Sequence, residues 1–593
     1  MGDDDTDPCA RPHAARSPSP TRPEAVSRIS ITRRELVVAG SSLAAGLALT
    51  TDAHARLLPT TRGVGRGRFL DGVASGEPTP DAVTFWGRLT TDQPRSAARL
   101  IVAADPGLNQ VVANVVVPTS SGVDHTLKAR VGGLKPSAHY WYVWQSQTET
   151  SPVGRTKTAP PADSDVPVSI AYSSCQNYGA GYFSAHSDAA VRDDLDLVAF
   201  LGDYTYEYSY GEYGGKGRGP NAIDPASTDL TSYRNKLRLY RADAPLRELH
   251  RLHPVVHVWD DHEVADNYTD GAPSPSDLQR NAGYRASFEW LPRLAFQNDR
   301  FRLYRSLRYG RNAEVFITDQ RQYRTTGDPG TAFLGRTQMD WLKKGLKGSD
   351  ATFKLVGNPD MIAPLGLSPL GATLATVNSD QWDGYPQERA ELLGHIATQG
   401  ISDVVFLTGD IHLYMANDLL FDGRSVATEY IGGSVTSPGF PDLVNALGTP
   451  AIRALNTHIK YFEGAQHGYA LAKVTKDALS IDFRVNDITK KDAPSRTLAS
   501  FVQPRGTNAI PQQSAVATTA SRTSARETVV DGPDGRRVDP VPAAAPKGTA
   551  LAQRQRRLAT VADRDLQRRE RIAEQAAKRR TRRHALTTRR AGR

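Results

Sequence analysis

At 593 residues the chain exceeds what one hydrophobic core usually supports, so two or three regions are expected. With 39% hydrophobic and 23% charged residues it has the make-up of a soluble globular protein, and beyond residue 55 no segment is apolar enough to span a bilayer, which excludes a multi-span membrane protein. The net charge of +9 is unevenly held: residues 551–593 carry 15 Lys plus Arg against 4 Asp plus Glu, a net of +11, so the chain before them sums to −2 and the basic character belongs to a tail.

Residues 1–55 read as an export signal. Arg33 and Arg34 precede an apolar run from Leu36 to Leu49, and Ala53-His54-Ala55 offers a small-x-small cleavage site. Adjacent arginines before a modest apolar core point to the twin-arginine machinery, and a run of about 14 residues falls short of the roughly 20 that would anchor a chain in a bilayer. The mature protein is therefore expected to be secreted or cell-wall associated. The Asp-containing stretch before Arg33 is long for a signal, and a translation start downstream of Met1 stays open. With Cys9 in the leader, Cys175 is the only thiol of the mature chain and has no disulfide partner within it. It is either a small buried hydrophobe or a metal ligand. Export of an already folded protein, cofactor in place, favours the ligand.

From Phe69 to Pro160 short alternating runs are separated by turn residues: DAVTFWGRL, AARLIVAA, VVANVVV, HTLKARVGGL and HYWYVWQSQ. This predicts an antiparallel β-sandwich over 69–160, its Leu134-Lys135-Pro136 turn and Tyr140-Trp141-Tyr142 run similar to the late strands of a fibronectin-type module. A Pro-Ala-Asp linker at 159–165 closes it. Residues 166–502 alternate apolar strands with helical stretches and predict a layered α/β domain. The strands are 168–175, 195–203, 254–261, 312–319, 352–358 and 403–410, and each ends on polar residues; helices are predicted over 229–241 and 336–347. Residues 206–227 form a long Gly-rich loop near these ends, a candidate mobile gate. From 503 to 593 the chain is low in complexity and basic, with little fixed structure expected. This tail is either solvated or a clasp for anionic cell-wall polymer or membrane surface. It holds no aromatics, and no nucleic acid partner is expected.

The strand ends present Cys175, then Asp203 with Tyr206, then Asp260, Asp261 and His262, then Asp410 with His412 in LTGDIH. In an α/β sheet such carboxyl ends form the usual ligand crevice. Thiolate, phenolate, carboxylate and imidazole together suit a Lewis-acidic transition metal, and phenolate favours ferric iron. The all-oxygen positions suit calcium or magnesium. Asp203 can bridge two ions, and His262 can protonate a leaving oxygen.

These segments also carry a resemblance. SSCQNYGAGYF (173–183), LGDYTYE (201–207), VWDDHEVADNY (258–268), TDQRQYR (318–324), DQWDGYPQER (380–389) and LTGDIHLYMANDL (407–419) resemble PhoD-type alkaline phosphatases/phosphodiesterases, and FLDGVASGEPTPDAVTFWGRL (69–89) resembles their amino-terminal domain. The resemblance implies a metallophosphoesterase-like core with one ferric ion and one or two calcium ions, hydrolysing phosphate esters by metal-hydroxide attack on phosphorus. It implies iron at Cys175, Asp203, Tyr206 and His412, with Asp203, Asp261 and Asp410 on the calcium side. Asp203 and His262 are the catalytic candidates; Asn267, Arg321 and Asn358 fall at positions that look substrate-binding. The pair of asparagines that usually follows the DDHE motif is here Asp266-Asn267, and the basic tail has no counterpart in the family. Two alternatives remain at this stage. One is a phospholipase D-type phosphodiesterase; the other is a non-catalytic protein that binds cell-wall phosphopolymers.

Overall fold

In a computed structural model the described residues are 29–31 and 63–511, apart from 220–221, 271, 273, 326–331, 367–379, 440–449 and 451. The apolar run and cleavage site of the export leader, and the basic tail beyond residue 511, lie outside them.

The amino-terminal region is all β: β1 (Val73–Gly76), β2 (Ala82–Arg88), β3 (Arg95–Ala103), β4 (Val111–Ser120), β5 (Thr126–Gly132), β6 (His139–Gln145) and β7 (Gly154–Lys157). A four-stranded sheet of order β4-β3-β6-β7 shares one core with β1, β2 and β5, made by Phe85, Leu100, Val102, Leu127, Tyr142 and Trp144. This is the predicted sandwich.

The second region begins with β8 (Val168–Ser173), α1 (Ser184–Ala190), β9 (Leu197–Leu201), α2 (Leu230–Arg241), α3 (Ala244–Leu252), β10 (Pro254–Val258) and α4 (Asp277–Trp290). It continues through β11 (Arg305–Tyr309), β12 (Ala313–Ile317), α5 (Arg336–Gly348), β13 (Phe353–Asn358), α6 (Pro386–Thr398) and β14 (Val404–Thr408). The chain finishes with β15 (Tyr414–Phe421), β16 (Arg424–Gly432), β17 (Ile459–Glu463), β18 (His467–Val474), β19 (Ala478–Asn486) and β20 (Arg496–Pro504). Local chemistry starts the helices where the sequence suggests. Asp229 and Ser232 form a reciprocal capping box at the head of α2, and Asp243, followed by Pro245, caps α3.

Two sheets stack in the middle of this region. The second has the order β11-β12-β13-β14-β16-β15-β17, with β12, β13, β14 and β16 mutually parallel. Ile170, Ala199, Leu201 and Val258 of the first sheet pack with Ile317, Leu355, Val405 and Leu407 of the second in one apolar layer. Helices cover both outer faces: α1 to α4 against the first sheet, α5 and α6 against the second. Strands apolar on both faces are the signature of such layering, which is why the central strands read as continuous apolar runs.

The linker at 159–165 marks a change of pattern in the sequence, but hydrogen bonding runs across the two regions. The first sheet is ten-stranded, in the order β5-β2-β1-β10-β9-β8-β18-β19-β20, with the three-residue strand Ile29–Ile31 outside β5. The join is a short parallel pairing in which Ser75 and Gly76 face Pro254 and Val255. Around it, Asp124 of the sandwich accepts from Arg88 at 2.9 Å, from Arg238 of α2 at 3.1 Å and from the Trp290 indole of α4 at 3.0 Å. The sandwich therefore buttresses α2 and α4, which cover the first sheet.

Lys128 on β5 sits in this join, 3% exposed, donating to the carbonyls of Phe288 and, at 3.1 Å, Arg293. Two carbonyls match the two N–H groups of a neutral amine and leave an ammonium with a donor to spare. Burial, reinforced by the Arg293 charge, brings this lysine down from 10.5 to about 7. Between those values the unfolded chain holds a proton that the folded chain does not, so this group makes stability rise with pH across that window. Urea unfolding from pH 7 to 10 is expected to show a pH slope that is steeper in the wild type than in Lys128→Met by up to about 1.4 kcal/mol per pH unit. Identical slopes would place the charge elsewhere.

Candidate metal centre

Every residue of the predicted constellation lies just past the carboxyl end of a central strand. β8 leads to Cys175, β9 to Asp203 and Tyr206, β10 to Asp260, Asp261 and His262, and β14 to Asp410 and His412; β13 adds Asp360, which was not predicted. The parallel pairings of β8 with β9, β9 with β10, and β13 with β14 align these ends within each sheet, and the proximity of Cys175 and Asp203 to His412 brings the ends of the two sheets together. Cys175 (φ 59°), Asp203 (53°), Asp410 (60°) and His412 (58°) all take the left-handed backbone that non-glycine residues avoid. Strain of this kind persists where surrounding packing over-determines it, and it turns each side chain back over the sheet end. Gly202, at φ 95°, is required by the same turn: a Cβ there would meet Asp260 Cβ at 2.7 Å.

Three groups result, each with candidate ligand atoms within 4.8 Å of one another: Cys175 with Asp203 and His412, and Asp203 with Asp261 and His262, which share Asp203, and a separate group of Asp260 with Asp360 and Asp410. Tyr206 completes the first, its hydroxyl 2.8 Å from Asp203 Oδ2 and 3.3 Å from His412 Nε2. Ser437 donates to the Tyr206 oxygen at 2.7 Å. His412 Nδ1 lies 2.9 Å from the Pro438 carbonyl, a contact that places the proton on Nδ1 and turns the Nε2 lone pair toward Asp203 and Cys175. Burial lowers this imidazole to about 4, so it is neutral in the working range, as a ligand must be.

The electrostatics call for cations. Burial first, then repulsion from Asp261 and Asp260 against the opposing pull of His262, holds the Asp203 carboxyl well above the usual carboxylate range. Burial and the charges of Asp260 and Asp261 push Asp410 up to about 8. Burial, Asp203 and Asp410 raise the Cys175 thiol. Asp203 Oδ1, Asp260 Oδ2 and Asp261 Oδ1 are buried and accept no hydrogen bond. Buried carboxylate oxygens without donors are costly unless a cation takes their charge. The donor set therefore fits metal ions, with soft and phenolic donors at one end and oxygens alone at the other.

Around the ligands lies a shell that sequence reading found only in part. Glu263 accepts from the backbone N–H groups of Asp203 (3.2 Å), Tyr204 (2.6 Å) and Asp260 (2.9 Å), fixing two ligand turns together. Gln176 ties the Cys175 turn to the Asp203 turn, donating to the Tyr204 carbonyl at 2.8 Å. Arg321, fully buried, pairs with Asp260, with Asp360 at 3.3 Å and with Asp380 at 2.6 Å. Arg324 pairs with Asp360 and Asp380 beside it. The structure thus places Arg321 among carboxylates, with its guanidinium committed to holding them. Asn358 is likewise saturated, its amide engaged by Thr408, Trp382, Gln320 and the Asp360 backbone. Asn267 lies at the rim, its N–H donating to Asp261 Oδ2 at 2.7 Å. Asp360, Arg324 and Asp380 are the missed members; the VGNPD and DQWDG segments that hold two of them were the available signal.

The loop 206–227 is pinned at several points. Lys236 pairs with Asp224 and donates to the Tyr208 carbonyl at 2.7 Å, while Arg218 pairs with Asp243 at 3.0 Å and lies 3.9 Å over the Tyr178 ring. Apart from residues 220–221, these contacts hold the loop against α2 and the head of α3.

A layered α/β fold carrying clustered metal ligands at its strand ends defines a metallophosphatase, a phosphoric ester hydrolase. The chain belongs to the PhoD-like phosphatase family: that family's model matches residues 170–483, and the model of the PhoD-like phosphatase N-terminal domain matches 54–160. Among curated proteins, alkaline phosphatase D of Bacillus subtilis (strain 168) is 33% identical over 473 residues, covering 73% of this chain and 80% of that protein. Among solved structures, one described as the structure of PhoD aligns with a TM-score of 0.68 at 30% identity, over 77% of this chain and 94% of its own. A purple acid phosphatase from yellow lupin (Lupinus luteus) seeds shares the fold at 12% identity, with a TM-score of 0.51 over 73% of this chain and 74% of its own.

Arg321→Met is expected to destabilise the protein by about 3–5 kcal/mol, because it strands buried carboxylates without their counter-charge. Thermal unfolding checks this, and a change below about 1 kcal/mol would mean that the guanidinium is not their main partner.

Proposed function

We propose that the chain is an exported alkaline phosphatase/phosphodiesterase that hydrolyses extracellular phosphate esters. The observation that carries this reading is the sharing of Asp203 between two candidate ligand groups in which Asp203 Oδ1 and Asp261 Oδ1 are buried without a donor. Cys175, Asp203, Tyr206 and His412 would hold one ferric ion. Asp203 and Asp261 on one side, and Asp410 with Asp260 and Asp360 on the other, would hold one or two calcium ions. When bound, these ions supply positive charge for the phosphoryl oxygens and lower the cost of attack by water-derived oxygen.

The chain's own residues do the rest. Asp203 fixes the separation of the two compartments, and Tyr206 and His412 orient it. His262 gives a proton to the departing oxygen as the P–O bond to it breaks; the attacking water bonds to phosphorus and its proton recharges the ring. Arg321 and Arg324 act on substrate only indirectly, by keeping Asp260, Asp360 and Asp380 in place. Export by the twin-arginine route rests on Arg33, Arg34 and the apolar run after them, and among the described residues no helix is long and apolar enough to cross a membrane.

Purified protein is expected to hydrolyse p-nitrophenyl phosphate and bis-p-nitrophenyl phosphate at alkaline pH and to lose both activities to a calcium chelator. Asp203→Asn is expected to lower kcat on both by more than about 100-fold and to lose metal. An Asp203→Asn protein with full activity and full metal content would refute the assignment.

A further inference from the structure

We propose that Glu207 is the positioning residue for His262, fixing the orientation of the imidazole so that Nε2 is the nitrogen presented to the leaving oxygen. This rests on the reading of His262 as proton donor and adds to it a residue that holds the ring.

Glu207 follows Tyr206 directly, so its backbone is set by the turn that delivers the metal ligands. Its Oε2 lies 2.9 Å from His262 Nδ1, and its Oε1 accepts the Asp266 backbone N–H at 2.7 Å. Both oxygens are thus occupied, and the carboxylate has little freedom to rotate. The side chains of His262 and Glu207 are 7% and 11% exposed, so their hydrogen bond is largely shielded from competing water. The Tyr206 ring stacks on the imidazole at 4.1 Å and 30°, closing one face. A second span of the same loop is held too, because Asn267 N–H donates to Asp261 Oδ2 at 2.7 Å. Glu207 therefore ties the tyrosine-bearing turn to both His262 and Asp266.

With Nδ1 engaged by a carboxylate, the proton on that nitrogen is fixed and Nε2 is left for substrate. A residue that served only the backbone turn would need no contact with the ring. One that acts through the ring must matter most where the leaving oxygen needs its proton.

The test uses the full-length, metal-loaded protein and four variants: Glu207→Ala, Glu207→Gln, His262→Ala and the double alanine variant. Each is measured on phenyl phosphate, whose leaving group needs protonation, and on 2,4-dinitrophenyl phosphate, whose leaving group does not. Metal content is determined alongside. Glu207→Ala is expected to lose about tenfold or more in kcat on phenyl phosphate and less than about threefold on 2,4-dinitrophenyl phosphate, with metal content unchanged. Adding Glu207→Ala to His262→Ala is expected to cost no further activity. Glu207→Gln keeps an acceptor for the Asp266 N–H, so it decides the matter if the alanine variant does not fold, and the same selective loss is expected. Equal losses on both esters, a fall in metal content that tracks the lost activity, or additive losses in the double variant would overturn the proposal. If His262→Ala is selective for phenyl phosphate and the Glu207 variants are not, the positioning role alone fails. If His262→Ala shows no selectivity, the proton-donor reading fails and this inference falls with it.

Discussion

Carboxylates crowded at buried strand ends are the constraint on which the rest of this molecule depends. Asp203 lies with Asp261, and Asp260 with Asp360 and Asp410, their ligand atoms within 4.8 Å of one another in each group, and all but the half-buried Asp410 are buried. Burial and mutual repulsion oppose their ionisation together, so the arrangement persists only with compensation from two sources. Arg321 and Arg324 supply fixed charge from one side, saturated by Asp260, Asp360 and Asp380. The donor-free oxygens on the other side are left for cations. The same crowding accompanies left-handed backbone at Cys175, Asp203, Asp410 and His412, four residues at the ends of three strands.

Much of this centre was legible in the sequence because its ligands obey a local rule. Each follows an apolar strand directly, and strand, turn and polar end can be recognised one at a time. The segments YSSC, FLGD, VWDD and FLTGD mark the candidate ligand positions, and the resemblance implies their grouping. The compensating shell obeys no such rule. Arg321 and Asn358 look like substrate-facing polar residues when read in sequence, yet packing turns both inward to carboxylates and amides. Asp360 and Arg324 acquire meaning only when β13 is laid beside β14 and the 380s fold over them. Glu263 is the fourth residue of DDHE, and its capture of three backbone N–H groups from two turns depends on the distance between β9 and β10.

The two-region organisation was likewise visible as a change of pattern, whereas the continuity of the sheet was not. Pairing of β1 with β10 spans only Ser75 and Gly76, too short to leave a periodic signal. Its weight comes from the side chains around it, where Asp124 gathers two arginines and a tryptophan from three elements. The sandwich thereby contacts α2 and α4, and α2 in turn holds Tyr208 and Asp224 through Lys236.

The central claim is that these ligands form two chemically different metal compartments joined at Asp203. The most direct measurement is metal analysis of protein purified after export by its own route, combined with its visible absorption spectrum. The account predicts one iron and at least one calcium per chain, with a visible band that disappears in Tyr206→Phe. Fully active protein containing neither ion, or an iron band unchanged by Tyr206→Phe, would contradict it.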